Sequence, residues 1–349
     1  MDGICSPHLP KHWLVVRFSS MGDVTLSTGV LRRLHEQRGW TFTVLTRPAW
    51  APLFTGHPAI RAVLAPDEAH LRGAAYRQFA RNLAQNGVEP GTGLLDLHGS
   101  LRSRLLSFYW RGIQRKAVGF SLRRRILLWS GGRFFRAALR QYNVPQRYAL
   151  AVEDHAPPRA TLLPVVYLSQ EERAEGRALL AEAGIHGERP LVALHPYAAH
   201  ALKAWPRGCW QTLAADLEER GMDWCVLGQG ETFLGSARDL TGKTSLRQSC
   251  AVLSHARALV TGDSGPMHLA SAVGVPLVAL FGPTGPEWGF YPEGPLDAVL
   301  EAKPACRPCS LHGKARCKNG QPCMQDIAPA AVLAATLDLC AAQNHRAGA

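Results

Sequence analysis

Short apolar, β-branched runs alternate along this chain with longer stretches in which apolar residues recur every three to four positions. Residues 13–18 form the first run, broken only by Arg17, and Gly22-Asp23 follows before a helical stretch to about residue 38. Further strands are predicted at 42–45, 62–64 and 94–97, with a helical stretch at 68–86 and another leading to a strand at 117–120. A stretch at 156–164 holds three prolines and interrupts the pattern. A second alternation then begins: strands at 191–194, 224–227, 258–261 and 277–281, helices at 207–220, 246–255 and 266–273, and a closing helix at 328–342. A βαβα order predicts mostly parallel sheets covered by helices on both faces. The expected fold is therefore α/β, two doubly wound Rossmann-like domains facing a cleft. The boundaries read as 1–155, a linker at 156–165, a second domain at 166–330, and a C-terminal helix and tail at 331–349. Such sheets bind ligands beyond the carboxyl ends of their strands.

Composition supports two ordinary domains. The chain has 349 residues, 46% hydrophobic and only 19% charged, which disfavours extensive disorder. No stretch approaches the roughly 20 apolar residues needed to cross a bilayer, and no basic leader precedes an apolar run. The expectation is a cytoplasmic protein, with contact at a membrane surface left open.

Charge changes this picture. The net charge is +12, and residues 97–152 carry twelve Arg or Lys residues with no Asp or Glu, interleaved with aromatic and aliphatic residues. That pattern suits an anionic polymer, an anionic lipid surface or a phosphorylated acceptor. It also suits solvated helix faces whose Arg stems pack over apolar neighbours.

Candidate chemistry sits at strand ends. Ser20-Met21-Gly22-Asp23 follows the first strand, where Asp23 can cap a helix or act as a general base. His195-Pro196-Tyr197 is followed by Lys203-Ala204-Trp205-Pro206, and a lysine before a Pro-initiated helix can meet a diphosphate or simply face solvent. Leu227-Gly228-Gln229-Gly230-Glu231 offers a carboxylate either to ribose hydroxyls or to a helix start. The most specific block is Asp263-Ser264-Gly265-Pro266-Met267-His268. There a strand, a small-residue turn and a helix start create a place for phosphate oxygens.

These blocks, together with Asp96-Leu97-His98-Gly99-Ser100-Leu101-Arg102-Ser103 and Phe281-Gly282-Pro283-Thr284, resemble glycosyltransferase family 9, the ADP-heptose:lipopolysaccharide heptosyltransferases. They run in family order over about residues 13–330. The resemblance implies a GT-B fold, with acceptor bound by the N-terminal domain and nucleotide sugar by the C-terminal one. It implies inversion without a catalytic metal or other cofactor. By similarity, Asp23 deprotonates the acceptor hydroxyl, and Lys203 and the Ser264-Gly265 turn stabilise the departing diphosphate. Glu231 holds the ribose, and Asp263 and His268 hold the donor sugar or phosphates. Ser20, Gly22, His98, Arg102 and Arg104 fall on the acceptor side. Where many members place a hydroxyl residue in the donor loop, this chain has Tyr197-Ala198-Ala199. The expected partners are ADP-heptose and an anionic glycolipid, with peripheral association at the cytoplasmic face of the inner membrane. No nucleic-acid partner is expected.

Four of the nine cysteines, Cys306, Cys309, Cys317 and Cys323, are spaced C-x2-C-x7-C-x5-C. That spacing fits a structural Zn2+ or iron knuckle, or a loop of reduced thiols typical of the family. The other five, Cys5 among them, read as small core residues. Rival functions are a family 9 transferase with another sugar or a protein acceptor, a sugar-nucleotide epimerase, and a basic zinc-knuckle protein that binds nucleic acid.

Overall fold

The computed structural model describes residues 9–117, 119, 121–131, 133–313 and 316–347. The chain forms two compact units, one from Met1–Gly119 and Pro145–Leu162, the other from Phe120–Val144 and Leu163–Ala349. The first contains β1 (His12–Val16), α1 (Met21–Arg38), β2 (Thr41–Leu45), β3 (Ile60–Leu64), α2 (Gly73–Asn86), β4 (Gly93–Asp96), α3 (Leu101–Tyr109) and β5 (Gln114–Lys116). Then α4 (Ser121–Trp129) and α5 (Arg136–Arg140) join the second unit, and the chain returns to the first within α6 (Val144–Ala149). The second unit continues with α7 (Gln170–Glu182), β6 (Leu191–His195), α8 (Arg207–Glu219), β7 (Asp223–Val226), α9 (Leu246–Leu253), β8 (Ala258–Gly262) and α10 (Gly265–Ala272). It ends with β9 (Leu277–Leu280), β10 (Ala298–Leu300), α11 (Pro322–Gln325) and α12 (Pro329–Ala347).

Both sheets have five strands, all paired in parallel, in the orders β3-β2-β1-β4-β5 and β10-β9-β8-β6-β7. Each is doubly wound, the arrangement of a GT-B transferase. In each sheet the strand order reverses once, between β1 and β4 in the first and between β6 and β8 in the second. These are the points where a crevice opens beyond the strand ends. Register sets what lies there: Val16 is opposite Asp96, and His195 is opposite Thr261.

Central strands are apolar on both faces because helices cover both. Leu14, Val16, Phe18, Leu94 and Trp110 pack with Tyr76 and Leu83 of α2 in the first unit. Val192, Leu194, Val260 and Val278 pack with Trp210, Leu213 and Leu217 of α8 in the second. By contrast β5, Gln-Arg-Lys, is exposed throughout, and a charged edge strand discourages pairing with another chain.

The sequence pattern and the structure differ in particular places. The strand expected at 117–120 forms at 114–116; Val118 and Phe120, like Cys5, lie outside the described residues. No apolar alternation marks that strand, since an exposed edge does not require it. The helix expected from residue 68 starts at Gly73, after a short 3-10 turn over Glu68–Leu71. Residues 120–144, grouped with the first half by charge, pack with the second unit. The closing helix and tail expected at 331–349 overlap α12, which starts at Pro329 and whose Val332, Leu333, Leu339 and Cys340 are part of that unit's core. No helix among the described residues is long and apolar enough to cross a membrane.

Candidate active site

Each unit carries a cluster at its own reversal point. In the first, β1 ends at Val16 and the chain turns into α1 with Ser20 at the N-cap and Asp23 in the first helical turn. The Asp23 carboxylate is almost fully engaged. Its Oδ1 meets Arg17 Nη2 at 2.7 Å and accepts from the Tyr148 hydroxyl at 3.1 Å. Its Oδ2 accepts from the Ser20 amide at 3.1 Å and the Ser20 hydroxyl at 2.9 Å. Burial alone would raise the pKa of this carboxyl, but the Arg17 charge and the Ser20 and Tyr148 hydrogen bonds outweigh it and hold it below the ordinary value. Gly22 beside it is buried, and Ser20 is exposed. Arg17 donates from Nη1 to Leu97 O at 2.6 Å and lies 5.5 Å over the Tyr148 ring, so strand β4 and helix α6 both fix it.

Beyond β4, Asp96 Oδ1 accepts from the amides of His98 and Gly99, each at 2.8 Å. That bond turns the chain sharply into α3. The His98 ring lies edge-on to Phe18 with centroids 5.4 Å apart. Burial, then the Arg17 charge, lowers its pKa to about 4, so the imidazole is neutral at neutral pH. Among the described residues, Asp96 Oδ2 and His98 Nδ1 are buried with no hydrogen-bond partner. Arg102 is half-buried and its charge acts on His98, whereas Arg104 is exposed on α3.

In the second unit, β8 runs into Asp263 and Ser264, and α10 starts at Gly265 with Pro266 in its first turn. The first-turn amides of such a helix have no intrahelical acceptor. The Ser264 hydroxyl lies 3.0 Å from Thr261 Oγ1 and 3.3 Å from His195 Nδ1. His195 is buried, and burial lowers its pKa to about 4, leaving a neutral ring to orient both hydroxyls. Lys203 Nζ contacts Asp263 Oδ2 at 2.5 Å, and Thr284 donates to the same oxygen at 2.7 Å. His268 is buried in α10, its ring 6.2 Å from that of Phe290.

The β7 turn adds a third face. Tyr197 donates to the backbone oxygen of Glu231 at 2.8 Å and lies 2.6 Å from Thr241 Oγ1. A Cβ on Gly228, whose φ is +155°, would come within 2.2 Å of the Tyr197 ring. Phe233 stands edge-on to Tyr197 at 5.7 Å, with the Arg207 guanidinium 5.2 Å over it. The Glu231 side chain itself is exposed.

The cysteine-bearing loop braces these elements. Arg307 donates to Thr284 O at 2.8 Å, Cys309 N to Pro283 O at 3.0 Å, and Gln321 Nε2 to Ala201 O at 3.2 Å. A cavity of about 800 Å³ is lined by residues 199–202 together with Gly313, Arg316, Cys317, Gly320 and Gln321. Burial raises the Cys323 thiol pKa, and Cys309, Cys306 and Cys317 are all near enough to act on it. Among the described residues no three His, Cys, Asp or Glu side chains meet as a ligand set.

The profile of glycosyltransferase family 9 (heptosyltransferase) matches residues 77–315. The chain belongs to glycosyltransferase family 9. Lipooligosaccharide heptosyltransferase 2 of Haemophilus influenzae is 28% identical over 298 residues, 79% of this chain and 84% of that protein. Lipopolysaccharide heptosyltransferase 1 of Pseudomonas aeruginosa is 28% identical over 326 residues, 85% of each. Among solved structures, a family 9 glycosyl transferase from Veillonella parvula aligns with TM-score 0.75 at 20% identity, covering 95% of this chain and 97% of that one. The E. coli ADP-heptose LPS heptosyltransferase II aligns with TM-score 0.69 at 22% identity, covering 95% and 99%.

In this family 9 transferase, Ser20, Gly22, Asp23, His98 and Arg102 lie in one unit around the first reversal point. Lys203, Asp263, Ser264, Gly265 and His268 lie around the second, with Tyr197 and Glu231 on the adjoining turn. Asp263 meets Lys203 and Thr284, an internal engagement that its sequence block did not announce. Arg17, Tyr148 and Phe233 were not singled out by sequence. Arg17 had a signal, a lone charge inside an apolar strand run. Tyr148 had none, being 125 residues from Asp23.

Proposed function

We propose that this transferase moves heptose from ADP-heptose to the core of lipopolysaccharide or a related envelope glycan, with inversion at the anomeric carbon. The observation that carries the proposal is Asp23, an ionised carboxylate at the β1 reversal point held by Arg17, Ser20 and Tyr148. The acceptor oxygen attacks the anomeric carbon, and the bond from that carbon to the diphosphate oxygen breaks with its electron pair leaving on ADP. The acceptor proton passes to Asp23. A carboxylate whose pKa is held low is a weak base, so it takes the proton only as attack makes the hydroxyl acidic.

On the donor side, Lys203 and the first-turn amides at Gly265 and Met267 supply positive potential where negative charge grows. Asp263 and Thr284 fix the lysine, and His195 fixes Ser264. Tyr197 and Glu231 hold the nucleoside, and His268 the sugar or phosphates. Ser20, Gly22, His98, Arg102 and Arg104 receive the acceptor. The transfer step itself uses no metal. The enzyme works at the cytoplasmic face of the inner membrane, and its partners include no nucleic acid.

The test is donor and acceptor profiling with ADP-heptose and truncated core oligosaccharides, comparing wild type with Asp23→Asn and Asp23→Ala. Transfer is expected to fall at least about a hundredfold in both variants, while ADP-heptose still raises thermal stability. Transfer at the wild-type rate by Asp23→Ala rejects Asp23 as the base, and product only from another donor or a protein acceptor rejects the substrate assignment. For the cysteine loop we propose a structural Zn2+ or iron ion, supported by the C-x2-C-x7-C-x5-C spacing of Cys306, Cys309, Cys317 and Cys323. Metal analysis of the full chain beside Cys306→Ser checks it, and a metal-free, fully stable wild type rejects it.

A further inference from the structure

Among the described residues, the exposed large apolar side chains of the second unit are concentrated in one segment. Leu122 is 69% exposed, Trp129 85%, Phe134 56% and Phe135 41%. On α4, residues 122, 125 and 129 share one face by helical periodicity. They place Arg125 between Leu122 and Trp129, and all three are exposed.

The opposite face of α4 is fixed. Leu127 is fully buried and packs with Leu139, Trp288 and Phe290. Arg124 donates to Trp288 O at 2.5 Å and lies over both of those rings. Arg136 and Arg140 pair with the buried Glu287 carboxylate. Turning α4 to hide Trp129 would expose Leu127 and break the Arg124 contact, so the outward row is not a core face turned the wrong way. The loop after α4 extends it. Phe135 adopts a left-handed φ of 63°, a conformation that costs a non-glycine residue energy, and it remains partly exposed with Arg123 over its ring.

The segment from 121 to 144 contains six arginines and no acid. Arg124, Arg136 and Arg140 are engaged by Trp288 and Glu287, while Arg125 and Arg133 are exposed beside the apolar side chains. Aromatic and aliphatic side chains flanked by arginine, on a segment with no carboxylate of its own, match the boundary between lipid headgroups and acyl chains. A nucleic acid would engage the arginines but gives Leu122 nothing to bury into.

We propose that residues 121–135 dock this protein on an anionic lipid bilayer, with Leu122, Trp129 and Phe134 entering the interface and Arg125 and Arg133 meeting the headgroups. The proposal deepens the functional one by naming the surface that meets the membrane. It is read with neither donor nor acceptor present, so either can fail without the other.

The test is co-sedimentation of the full chain with vesicles of phosphatidylglycerol and phosphatidylcholine, and with vesicles of phosphatidylcholine alone. Wild type is expected to bind the anionic vesicles and not the neutral ones. Trp129→Ser with Phe134→Ser, and separately Arg125→Glu with Arg133→Glu, should each weaken binding at least about tenfold. Because all four side chains are exposed, Tm should be unchanged in both pairs, and a pair that lowers Tm is replaced by its single variants. Three results overturn the proposal: no binding by wild type, equal binding to both vesicles, or undiminished binding by the Trp129 and Phe134 pair. Displacement from vesicles by a single-stranded oligonucleotide whose binding needs the same two aromatic residues overturns it as well.

Discussion

Four donors converge on the two oxygens of Asp23, and their sum decides its chemistry. The pKa lies below that of a free aspartate, so its contribution to stability is present above about pH 4 and is lost as pH falls through the folded value. The same depression keeps the base ionised, so an acid limb in kcat/KM from Asp23 should not enter above the ordinary carboxylate range. Tyr148→Phe removes one hydrogen bond to a charged group and should move that limb up, with the fold intact. A limb that stays put separates Tyr148 from the charge state of Asp23. His195 also loses stability in acid, for a different reason. Its buried neutral ring must be charged in acid, so stability is full above about pH 6.5, falls progressively toward pH 4, and then levels. Of the stability that denaturant melts lose across that window, on the order of 3 kcal/mol should come from His195, and His195→Gln should reduce the loss by that share.

Among elements, the pairing of α7 with α9 shows two effects in competition. Gly176 lies inside α7, where replacement by alanine would by propensity stabilise the helix by about 1 kcal/mol. A Cβ there, however, would sit 2.7 Å from the Ala251 carbonyl carbon of α9. Backbone cannot step aside as a flexible side chain can, and overpacking of this kind costs about 1–3 kcal/mol. Gly176→Ala is therefore expected to lower the denaturation midpoint; an increase would mean that the helices separate freely. The same balance explains what the sequence could tell. Central strands such as β1 and β8 were legible because burial on both faces demands unbroken apolar runs. The edge strand β5 was not, because exposure makes no such demand. Asp23 and the Ser264-Gly265 turn were legible because a strand, a tight turn and a helix start are local in sequence. Their supports were less so: Tyr148 meets Asp23 only through the fold, and His195, although marked in the sequence, showed no sign there of its contact with Ser264.

At the scale of the whole molecule, the two sheets reverse strand order in different ways, yet both place chemistry at the reversal. The excess of positive charge is also divided by the fold rather than spread evenly. Residues 101–116 stay with the first unit, and 120–144 pass to the second. The backbone thus crosses between units near residues 119, 144 and 162, not at a single connecting segment. The protein cannot be cut into two self-sufficient pieces at the proline-rich stretch. A fragment of residues 163–349 would keep Glu287 but lose Arg136 and Arg140, and would uncover Trp288 where Leu127 now lies. Stranding a buried carboxylate costs on the order of 3 kcal/mol, a large share of a domain's net stability. Expressed alone, that fragment should aggregate or melt without a cooperative transition. Supplying residues 120–144 as a fused segment should restore one. For this chain the order of genetic truncation is set by packing, and an excursion of twenty-five residues makes the halves indivisible.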